Sequence, residues 1–571
     1  MHTPSTQPRK SIYYQYKVHP FITPKELSNT STVIKHPIVI IGAGPAGLTT
    51  AINLAKMGVK SVILESEQQV SEGSRAIVFT RRSMEILQQI GVSQKMSAAG
   101  LQWTAGNSFY RGERVFRMEA PINPNDRFGP LINVQQQYLE QFLVEQADVY
   151  KDLIEIRWGN SLKKIIQTEP EVHILVDTPE GEYVLKADWL VAADGAKSQT
   201  RRILGLKMSG NSYEGKFVIA DIKIDLNLPT ERLAFFDPSW NPGNTVLMHR
   251  EPNSIWRIDY QLPPDESPEQ ALTTESLATR INAQLKLIGK EGTPWEMDWS
   301  SVYSARTMTL MDYRYGHVLF TGDAAHMLPI FGVRGANTGF QDAQNLAWKL
   351  GLVSKGLANV RFLDTYSEER VGAALEIIQE SGKSTRFMTP PSHGYLLMRN
   401  ATLSLSLKNN FVKPLFHWRT SRAHDYLSSS INIVASDPIS HSVPLGALMQ
   451  NVKLKDNQFL LDFLEQYFVI IHYAKSGDIP EDLYLLSRKI KYSGIPLQLI
   501  AIREHMSESR ADHTLIDQYS NFQKMYLSIQ EQIDEPVFLI RPDQHLMAYW
   551  NNFTKQISKN IEHIFFNSLT Q

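Results

Sequence analysis

The chain has 571 residues, more than one hydrophobic core normally organises, and its 42% hydrophobic and 20% charged residues are typical of a globular protein with two or three domains. A formal net charge of −1 gives no bulk electrostatic reason to expect nucleic acid or an anionic membrane as partner, and no apolar run approaches the ~18 residues that span a bilayer. The sequence has no cysteine, which excludes disulfides, thiolate metal sites and iron–sulfur clusters, so redox chemistry must come from a bound cofactor.

The chain opens with a polar segment, residues 1–36, whose tyrosines and prolines predict an extended arm lying over the first domain. This segment has no hydrophobic run of the signal-peptide type, so we expect a cytoplasmic protein. Residues 37–65 follow with the strongest βαβ pattern. It consists of an apolar strand, a glycine-rich turn, a helix that ends at Gly58, and a second strand that ends at Glu65.

The turn of this unit reads GAGPAG, and its glycines have distinct tasks. Gly42 allows the tight turn from strand to helix, Gly44 lets a pyrophosphate approach the backbone, and Gly47 lets the helix pack closely on the strand. Glu65 stands about twenty residues further on, where a carboxylate accepts hydrogen bonds from ribose hydroxyls. The Glu65 carboxylate, with Ser66 beside it, fits an adenosine ribose without a 2′-phosphate. The pattern predicts a dinucleotide site and does not separate FAD from NAD.

The next elements are a helix over 135–147 and alternating segments between 154 and 190 that suggest antiparallel strands. The last strand ends at Asp194-Gly195, with Ser198 and Arg201 at the start of a helix. One interpretation makes Asp194 part of a second cofactor contact. The other makes it a turn aspartate with a capping serine, and the sequence supports both equally.

Strand patterns separated by proline and asparagine turns fill residues 215–303. A third motif follows in LFTGDAAHMLPIFGVRGANTGF. A buried strand ends at Gly322-Asp323, a loop with Pro329 and several glycines comes next, and a helix is predicted from about Phe340. A strand-end carboxylate and a glycine-rich run before a helix can contact a polyhydroxylated, phosphate-bearing cofactor.

The order GAGPAG, DG and GDAAH resembles that of the FAD-dependent aromatic hydroxylases, the class A flavoprotein monooxygenases with the para-hydroxybenzoate hydroxylase fold. The resemblance runs from about residue 37 to 386. Further stretches resemble the 3-(3-hydroxyphenyl)propionate hydroxylase branch, namely GSRAIVFTRRSMEIL, NVQQQYLE, NTVLMHREPNSIWRIDYQL and GANTGFQDAQNLAWKL. The resemblance implies an α/β protein in which a Rossmann-like FAD-binding domain is interleaved with a mixed β-sheet substrate domain and followed by a small C-terminal thioredoxin-like α/β domain.

The resemblance also implies which residues hold FAD. The ADP half would lie against the GAGPAG turn and the end of the second strand. Arg75 would lie near the pyrophosphate or ribityl chain, Gln136 near the ribityl–flavin region, and Asp323 on a ribityl hydroxyl. The full implied set is Gly42, Ala43, Gly44, Pro45, Ala46, Gly47, Glu65, Ser66, Arg75, Gln136, Asp194, Asp323, Pro329, and the backbone of Gly335, Ala336 and Asn337.

Alternatives remain for two of these residues: Arg75 could form a surface salt bridge, and Gln136 could be an exposed helix glutamine. One departure from the family concerns the third motif. Relatives commonly place proline immediately before the Phe-Gly of this loop, whereas Pro329-Ile330 places it one residue earlier. That change bears on the contact with substrate and leaves FAD binding intact.

The activity implied by the resemblance is a monooxygenase reaction. NAD(P)H reduces the flavin transiently, and O2 forms a C4a-hydroperoxyflavin that hydroxylates a phenolic or related small aromatic compound. Two alternatives stay open: a flavin oxidoreductase or oxidase of the same fold without oxygen transfer, and a non-catalytic flavin-bound sensor or interaction protein. No histidine pair suggests a metal site.

Residues of the substrate pocket are expected in the middle strands, where His249, Arg257, Tyr260 and Tyr303 lie. Arg257 could pair with a substrate carboxylate, and Tyr260 or His249 could take part in deprotonating a phenol. The alternative is that these residues pack and hydrogen-bond for structure only. His326 of GDAAH is expected to be structural.

The predicted division has an arm (1–36), a monooxygenase region (37–428) and a C-terminal thioredoxin-like α/β domain (436–571). Within the monooxygenase region, FAD-binding parts are expected at about 37–115, 136–214 and 304–428, and the substrate-domain sheet at about 116–135 and 215–303. The C-terminal domain resembles the extension of several such hydroxylases. Without cysteine, its expected role is scaffolding or oligomerisation, with a homodimer as the candidate state.

Overall fold

The computed structural model of the protein describes residues 1–28, 34–123, 125–263, 265–329, 331–416, 420–433, 443–527 and 535–569. Its strands in chain order are β1 (Lys35–Ile41), β2 (Ser61–Glu65), β3 (Val78–Thr80), β4 (Leu101–Trp103), β5 (Ala105–Tyr110), β6 (Glu113–Glu119), β7 (Leu131–Asn133), β8 (Ile154–Trp158), β9 (Ser161–Thr168), β10 (Glu171–Thr178), β11 (Gly181–Ala192), β12 (Ser209–Lys223), β13 (Arg232–Phe236), β14 (Thr245–Glu251), β15 (Ile255–Gln261), β16 (Glu296–Thr309), β17 (Arg314–Tyr315), β18 (Val318–Phe320), β19 (His326–Met327), β20 (Lys453–Lys455), β21 (Gln458–Phe459), β22 (Phe468–Ala474), β23 (Leu497–Arg503), β24 (His513–Ile516), β25 (Val537–Ile540) and β26 (Leu546–Trp550).

The helices in chain order are α1 (Lys25–Ser28), α2 (Pro45–Lys56), α3 (Arg81–Gln89), α4 (Ser93–Ala99), α5 (Gln136–Val149), α6 (Gln199–Ile203), α7 (Pro268–Ala271), α8 (Thr274–Leu287), α9 (Gly335–Ser354), α10 (Asp364–Met388), α11 (His393–Ser406), α12 (Glu481–Tyr492), α13 (Asn521–Tyr526) and α14 (Lys555–His563). None of the helices in the described ranges is both long and apolar enough to cross a membrane.

The first sheet has the order β17-β18-β11-β1-β2-β8. Strands β18, β11, β1, β2 and β8 are mutually parallel, and β9 and β10 form an antiparallel extension on β11. The βαβ unit is therefore confirmed at β1, α2 and β2, and the antiparallel pattern expected over 154–190 applies to β9, β10 and part of β11. Because β1, β11 and β18 are parallel, their carboxyl ends lie at the same edge of the sheet.

The second large sheet has the order β19-β16-β12-β15-β14-β13-β5-β6. One face carries the apolar side chains of Trp256, Ile258 and Tyr260, which pack with those of α8. Alternate residues of β15, Arg257 and Asp259, point to the opposite face because side chains alternate along a strand. The strands β5 and β6 of this sheet lie at 105–119, and β7 pairs with β3 and β4 in a separate sheet. The bounds of the substrate-domain sheet stay a prediction.

The long helix α9 begins at Gly335, five residues before the predicted start near Phe340. The glycines of GANTG are typical of a loop and predict one at these positions. In the structure these small residues form the first turn of the helix, and no side chain caps its N-terminus.

The C-terminal sheet has the order β24-β23-β22-β25-β26, with β22, β23 and β24 parallel and β25 and β26 antiparallel. These strands lie where the sequence patterns predicted strands. The mixed α/β fold class is confirmed. The thioredoxin-like assignment and the domain boundaries stay predictions, and residues 434–442, where the predicted boundary lies, are outside the described ranges.

Two buried ion-pair groups hold α9 and α10 in place. In the first, the carboxylate of Asp342 accepts hydrogen bonds from the His326 ring (2.6 Å) and the Arg370 guanidinium (2.7 Å). His326 is fully buried in this group, in agreement with a structural role. Burial alone would raise the pKa of Asp342, but His326 and Arg370 outweigh it and hold the pKa at about 2.

The second group joins α9 and α10 to the C-terminal sheet. The carboxylate of Glu369 on α10 accepts a hydrogen bond from Lys349 on α9 (2.6 Å) and two from Arg541 after β25 (2.7 and 2.8 Å). All three side chains are at most 1% exposed. Asn345 on α9 donates to both Glu369 and Asp543, so the contact is continuous from α9 and α10 to the C-terminal sheet.

We predict that Glu369→Gln lowers the free energy of unfolding by roughly 3–5 kcal/mol, because it leaves the buried charges of Lys349 and Arg541 without their partner. Urea unfolding measures the change. The control is Glu562→Gln, which removes an exposed pair with Lys489 and should change the free energy by about 1 kcal/mol or less. Equal effects of the two substitutions would contradict the prediction.

A second prediction concerns acid. Because the pKa of Asp342 is lowered to about 2, below its ordinary ~3.9, its contribution to stability is complete above about pH 4 and disappears as the pH falls through 2. Asp342→Asn should remove about 2–3 kcal/mol of pH-dependent stability from this window. Unfolding free energies measured across the window test this, with the exposed Asp364→Asn as control. An unchanged pH slope in Asp342→Asn would show that the carboxylate does not titrate there.

Candidate active site

The GAGPAG turn follows β1 at the carboxyl edge of the first sheet, and two of its glycines are required by close backbone contacts. Gly42 has a φ of 103°, and a Cβ there would lie 2.6 Å from the carbonyl oxygen of Ala193, at the end of β11. A Cβ on Gly47 would overlap the carbonyl oxygen of Gly42. These contacts bring β1, α2 and the DG motif together at one point.

Gly44 is different, because no atom lies within 4 Å of the position its Cβ would occupy. It is the N-cap of α2, no side chain caps this helix, and Pro45 follows in its first turn. The free N–H groups of the first turn and the positive end of the helix dipole therefore face an open side of the turn. This arrangement, including Ala43 and Ala46, fits the pyrophosphate of a dinucleotide.

Glu65 ends β2 beside this turn. Its carboxylate accepts hydrogen bonds from the N–H groups of Ala43 (2.8 Å) and Glu67 (2.9 Å) and from the hydroxyl of Ser66 (3.3 Å). Burial raises the pKa of Glu65. The side chain is fixed in place, and its remaining lone pairs can accept hydrogen bonds from a ribose.

The third motif reaches the same edge of the sheet from β18. Asp323 has an exposed side chain, although the surrounding protein desolvates it and raises its pKa, while the nearby charge of Arg75 acts in the opposite direction. Its Oδ1 atom lies 3.9 Å from the position of a Cβ on Gly335, at the N-terminus of α9. A carboxylate, an exposed guanidinium and the N–H groups of a helix N-terminus therefore share one region, and their contact with FAD stays a prediction.

The DG motif shows the turn-and-cap contacts. The Asp194 carboxylate accepts a hydrogen bond from the N–H of Thr200 (2.8 Å), and the Ser198 hydroxyl accepts one from the N–H of Arg201 (3.0 Å). The Arg201 guanidinium also donates to the carbonyl of Ala324 (3.0 Å), which links the DG and GDAAH motifs. The second oxygen of Asp194 is buried and has no hydrogen-bond partner in the described part of the chain. Both interpretations of Asp194 therefore remain.

Two predicted cofactor residues use their side chains inside the protein. Asn337 donates to the carbonyl of Val78 (2.9 Å) and accepts from the N–H of Thr80 (2.9 Å), which ties the start of α9 to β3. Gln136 accepts from the N–H of Ala76 (2.9 Å) and donates to Glu140 (2.7 Å). The backbone of Gly335, Ala336 and Asn337 stays available at the helix N-terminus, whereas the Gln136 amide fixes the segment that carries Arg75.

The structure separates Tyr260 from the other predicted pocket residues. His249 and Arg257 are neighbours across β14 and β15 and share one face of the sheet. Tyr260 lies on the other face, where its ring packs against Trp240 at 5.7 Å and the Arg280 guanidinium lies over it at 5.4 Å. The period-two alternation of β15 is the signal that separates Tyr260 from Arg257.

Three carboxylates that the sequence analysis missed surround Arg257. Its Nε atom lies 3.3 Å from Asp259 and 3.7 Å from Asp221, and Nη1 donates to the carbonyl of Arg75 (3.2 Å). Burial raises the pKa of Asp221 to about 6 and that of Glu251 well above its ordinary value. Asp259 and Asp221 thus lie within ion-pair distance of Arg257, while its Nη2 atom is buried without a hydrogen-bond partner among the described residues. Charged residues at alternate positions of apolar strands were the available signal for this cluster.

Next to this cluster an aromatic group joins the sheet to the loop of the third motif. Phe217 of β12 stacks on Tyr303 of β16 with centroids 5.6 Å apart, and Phe331 of the loop meets Phe217 edge-on at 5.4 Å. The Tyr303 hydroxyl and the Nδ1 atom of His249 are buried, and neither has a hydrogen-bond partner among the described residues. Burial, with Arg232 and Arg257, lowers the pKa of His249, which is therefore neutral.

Pro329, in the same loop, is buried, whereas Ile330 lies outside the described residues. The effect of the Pro329-Ile330 departure therefore stays a prediction. In the described ranges no group of three or more His, Asp or Glu side chains could hold a metal ion.

Comparisons with known proteins agree with this geometry. Residues 35–381 match the family model described as "FAD binding domain". A 3-(3-hydroxy-phenyl)propionate/3-hydroxycinnamic acid hydroxylase of Mycolicibacterium smegmatis is 28% identical over 450 residues, which is 76% of each chain. The enzyme of the same name from Comamonas testosteroni is 29% identical over 390 residues, which is 66% of this chain and 62% of the relative.

Solved structures show the same fold. The flavin-dependent monooxygenase PieE, in complex with FAD and substrate, matches with a TM-score of 0.79 at 20% identity, over 93% of this chain and 99% of the other. Aklavinone-11 hydroxylase with FAD and aklavinone matches with a TM-score of 0.73 at 21% identity, over 94% and 99%. The resemblance to FAD-dependent aromatic hydroxylases is confirmed. Since the family model covers more than half of the sequence, this chain belongs to the FAD-binding domain family and has the fold of the flavin-dependent monooxygenases.

Proposed function

We propose that the protein is an FAD-dependent monooxygenase that uses NAD(P)H and O2 to hydroxylate a phenolic or related aromatic compound. The observation that carries this proposal is the meeting of the GAGPAG, DG and GDAAH motifs at the carboxyl ends of β1, β11 and β18. The same loop that carries Asp323 brings Phe331 onto the aromatic face of the second sheet. The proposed cofactor site and the aromatic group are thereby adjacent.

The residues at this edge fit FAD in type and placement. Gly44 and the N-terminus of α2 would hold the pyrophosphate, Glu65 with Ser66 the ribose, and Asp323 with Arg75 the ribityl region. The N–H groups of the first turn of α9 would face the flavin ring. Bound FAD supplies the redox chemistry, since it accepts a hydride from NAD(P)H and activates O2 for transfer of one oxygen atom to the ring.

For the substrate we propose a phenol whose ring lies among Phe217, Tyr303 and Phe331. The free Tyr303 hydroxyl and the neutral His249 imidazole can hydrogen-bond a phenol hydroxyl and orient it. The relatives act on phenols that also carry a carboxylate, as their names state. Arg257 is available for such a contact through its Nη2 atom, which is buried and has no hydrogen-bond partner among the described residues, while its Nε atom lies near Asp259 and Asp221.

The two alternatives differ from this proposal in what happens to oxygen. A flavin oxidoreductase or oxidase of the same fold would release hydrogen peroxide, and a sensor would bind flavin without turnover. A homodimeric state and a cytoplasmic location stay predictions from the sequence.

The test of the reaction is a screen of phenols and aromatic acids for accelerated NAD(P)H oxidation, with product analysis under ¹⁸O2. We expect a purified protein with the spectrum of bound flavin and at least one compound that is hydroxylated with an oxygen atom from O2. Stimulated oxidation that yields hydrogen peroxide with every compound would favour the oxidase.

The cofactor assignment has its own test. Glu65→Ala should weaken FAD binding by roughly 10–100-fold, because it removes a charge-assisted acceptor at the ribose. Titration of the apoprotein with FAD, followed by flavin fluorescence, measures this. Glu67→Ala is the matched control, since its carboxylate contacts Arg9 of the N-terminal arm instead (3.3 Å), and it should change the affinity about twofold at most. Equal affinities of wild type and Glu65→Ala would remove the basis of the ribose assignment.

The two faces of the second sheet offer a matched pair of tyrosines. We expect Tyr303→Phe to lower kcat/KM about tenfold or more for the best phenol, because a hydrogen bond to the substrate hydroxyl is lost. Tyr260→Phe, on the face that packs with α8, should leave kcat/KM within about twofold. Steady-state kinetics of FAD-saturated enzymes decide this, and equal losses in both variants would place the ring pocket elsewhere.

A further inference from the structure

The helix α11 buries several polar side chains and exposes several large apolar ones, although Leu403 also faces the protein interior. Arg399, Thr402 and Ser406 point into the protein and are 1%, 5% and 7% exposed. Arg399 donates to the carbonyl of Gly243 (2.9 Å), and the Ser406 hydroxyl donates to that of Thr402 (2.7 Å). Leu397 and Met398 are 57% and 60% exposed on the outer face. A surface helix normally directs its apolar stripe to the core, so this outer face has the composition of a contact surface.

The exposed apolar surface continues beyond the helix. Phe411 is 76% exposed and Leu415 is 47% exposed. We call this set the α11 surface. It consists of the exposed side chains of Tyr395, Leu397, Met398, Leu405, Leu407, Phe411 and Leu415. Such a contiguous stretch of large exposed apolar residues is uncommon in a monomer and marks an interaction site.

The charge of this segment differs from that of the whole chain. Between Ser381 and His424 the sequence has seven Lys or Arg residues and no Asp or Glu, although the net charge of the protein is −1. Lys408 lies on the α11 surface and Lys383 is exposed at the end of α10. Lys408 is the only Lys, Arg, Asp or Glu among the exposed residues of 391–416. Of the seven, Arg399 is buried and Arg422 forms an ion pair with Glu376, so the exposed basic charge beside the apolar side chains of 391–416 is that of Lys408, and the segment contributes no acidic residue.

We propose that the α11 surface docks the protein on an anionic lipid bilayer. Leucine, methionine, phenylalanine and tyrosine side chains would enter the boundary between headgroups and acyl chains, and the lysines would contact anionic headgroups. A second copy of the chain fits less well, because a two-fold contact through this surface would bring Lys408 and its symmetry mate together without an acidic partner from the same segment. The docking does not depend on the proposed reaction.

The inner side of the same segment connects this surface to the ring pocket. Leu403 of α11 and Phe416 belong to the same buried cluster as Phe217 and Phe331. One layer of helix therefore separates the proposed bilayer contact from the aromatic group. A lipophilic aromatic compound dissolved in the bilayer would be held close to the pocket that takes it.

The test is flotation of the FAD-loaded full-length protein with vesicles of phosphatidylcholine alone or mixed with phosphatidylglycerol. Wild type should float with the mixed vesicles and much less with the neutral ones, and high salt should reduce the binding. Leu397→Gln combined with Phe411→Gln should lower the partition coefficient at least about tenfold, because two apolar side chains that would insert into the bilayer are lost. Lys408→Glu should lower it about fivefold or more.

Matched controls lie on the C-terminal domain. Leu485→Gln combined with Met506→Gln replaces apolar side chains that are 54% and 81% exposed, and Lys559→Glu replaces an exposed lysine on α14. Both variants should float like wild type. The proposal fails if wild type does not bind mixed vesicles, or if the control variants lose binding equally. It also fails if light scattering shows a dimer that Leu397→Gln with Phe411→Gln dissociates while no flotation occurs.

Discussion

The carboxylate of Asp342 fixes the part of the site on which the others depend. From within α9 it accepts the N–H of Gly322 (3.1 Å) and the His326 ring (2.6 Å), so the end of β18 and the body of the helix are held together on either side of the loop that contains Asp323. The N-terminus of α9 and the Asp323 carboxylate can contact the same ligand only if these two ends of the loop lie close together. Arg370 completes the charge balance from α10.

This constraint gives the C-terminal domain a physical role. Glu369, next to Arg370 on α10, binds Arg541 from the turn between β25 and β26, and Lys349 and Asn345 connect the same carboxylate to α9. Ion pairs that are removed from water are sensitive to the loss of any partner, because the remaining charge stays buried. The C-terminal sheet therefore completes the packing of α9, which carries the end of the third motif, and of α10. A thiol redox role is excluded by the sequence, which has no cysteine.

The motifs were predictable from the sequence because their requirements are local. Gly42 and Gly47 are fixed by backbone contacts within one turn, and Glu65 by the length of one βαβ unit. The carboxylates around Arg257 were not predictable in the same way, since Asp221 and Glu251 come from two other strands and meet only through the sheet register. The predicted start of α9 near Phe340 lies five residues after the observed start at Gly335, because GANTG has the composition of a loop. The helix forms there because Asn337 is held by β3 and Asp342 by the end of β18.

Whole-chain averages also conceal how charge and apolar surface are distributed. The net charge of −1 arises from 58 basic and 59 acidic residues, and it argued against any electrostatic attraction to an anionic surface. The net charge describes the attraction to a partner only where basic and acidic residues alternate within the Debye screening length, which is about 8–10 Å at physiological salt. A segment with no acidic residue in its sequence presents a different local potential, and here it coincides with a helix that buries Arg399 and exposes Leu397. Electrostatic and hydrophobic attraction to a bilayer then act on the same face. This coincidence distinguishes the α11 surface from ordinary exposed residues, and neither the composition nor the net charge of the chain reveals it.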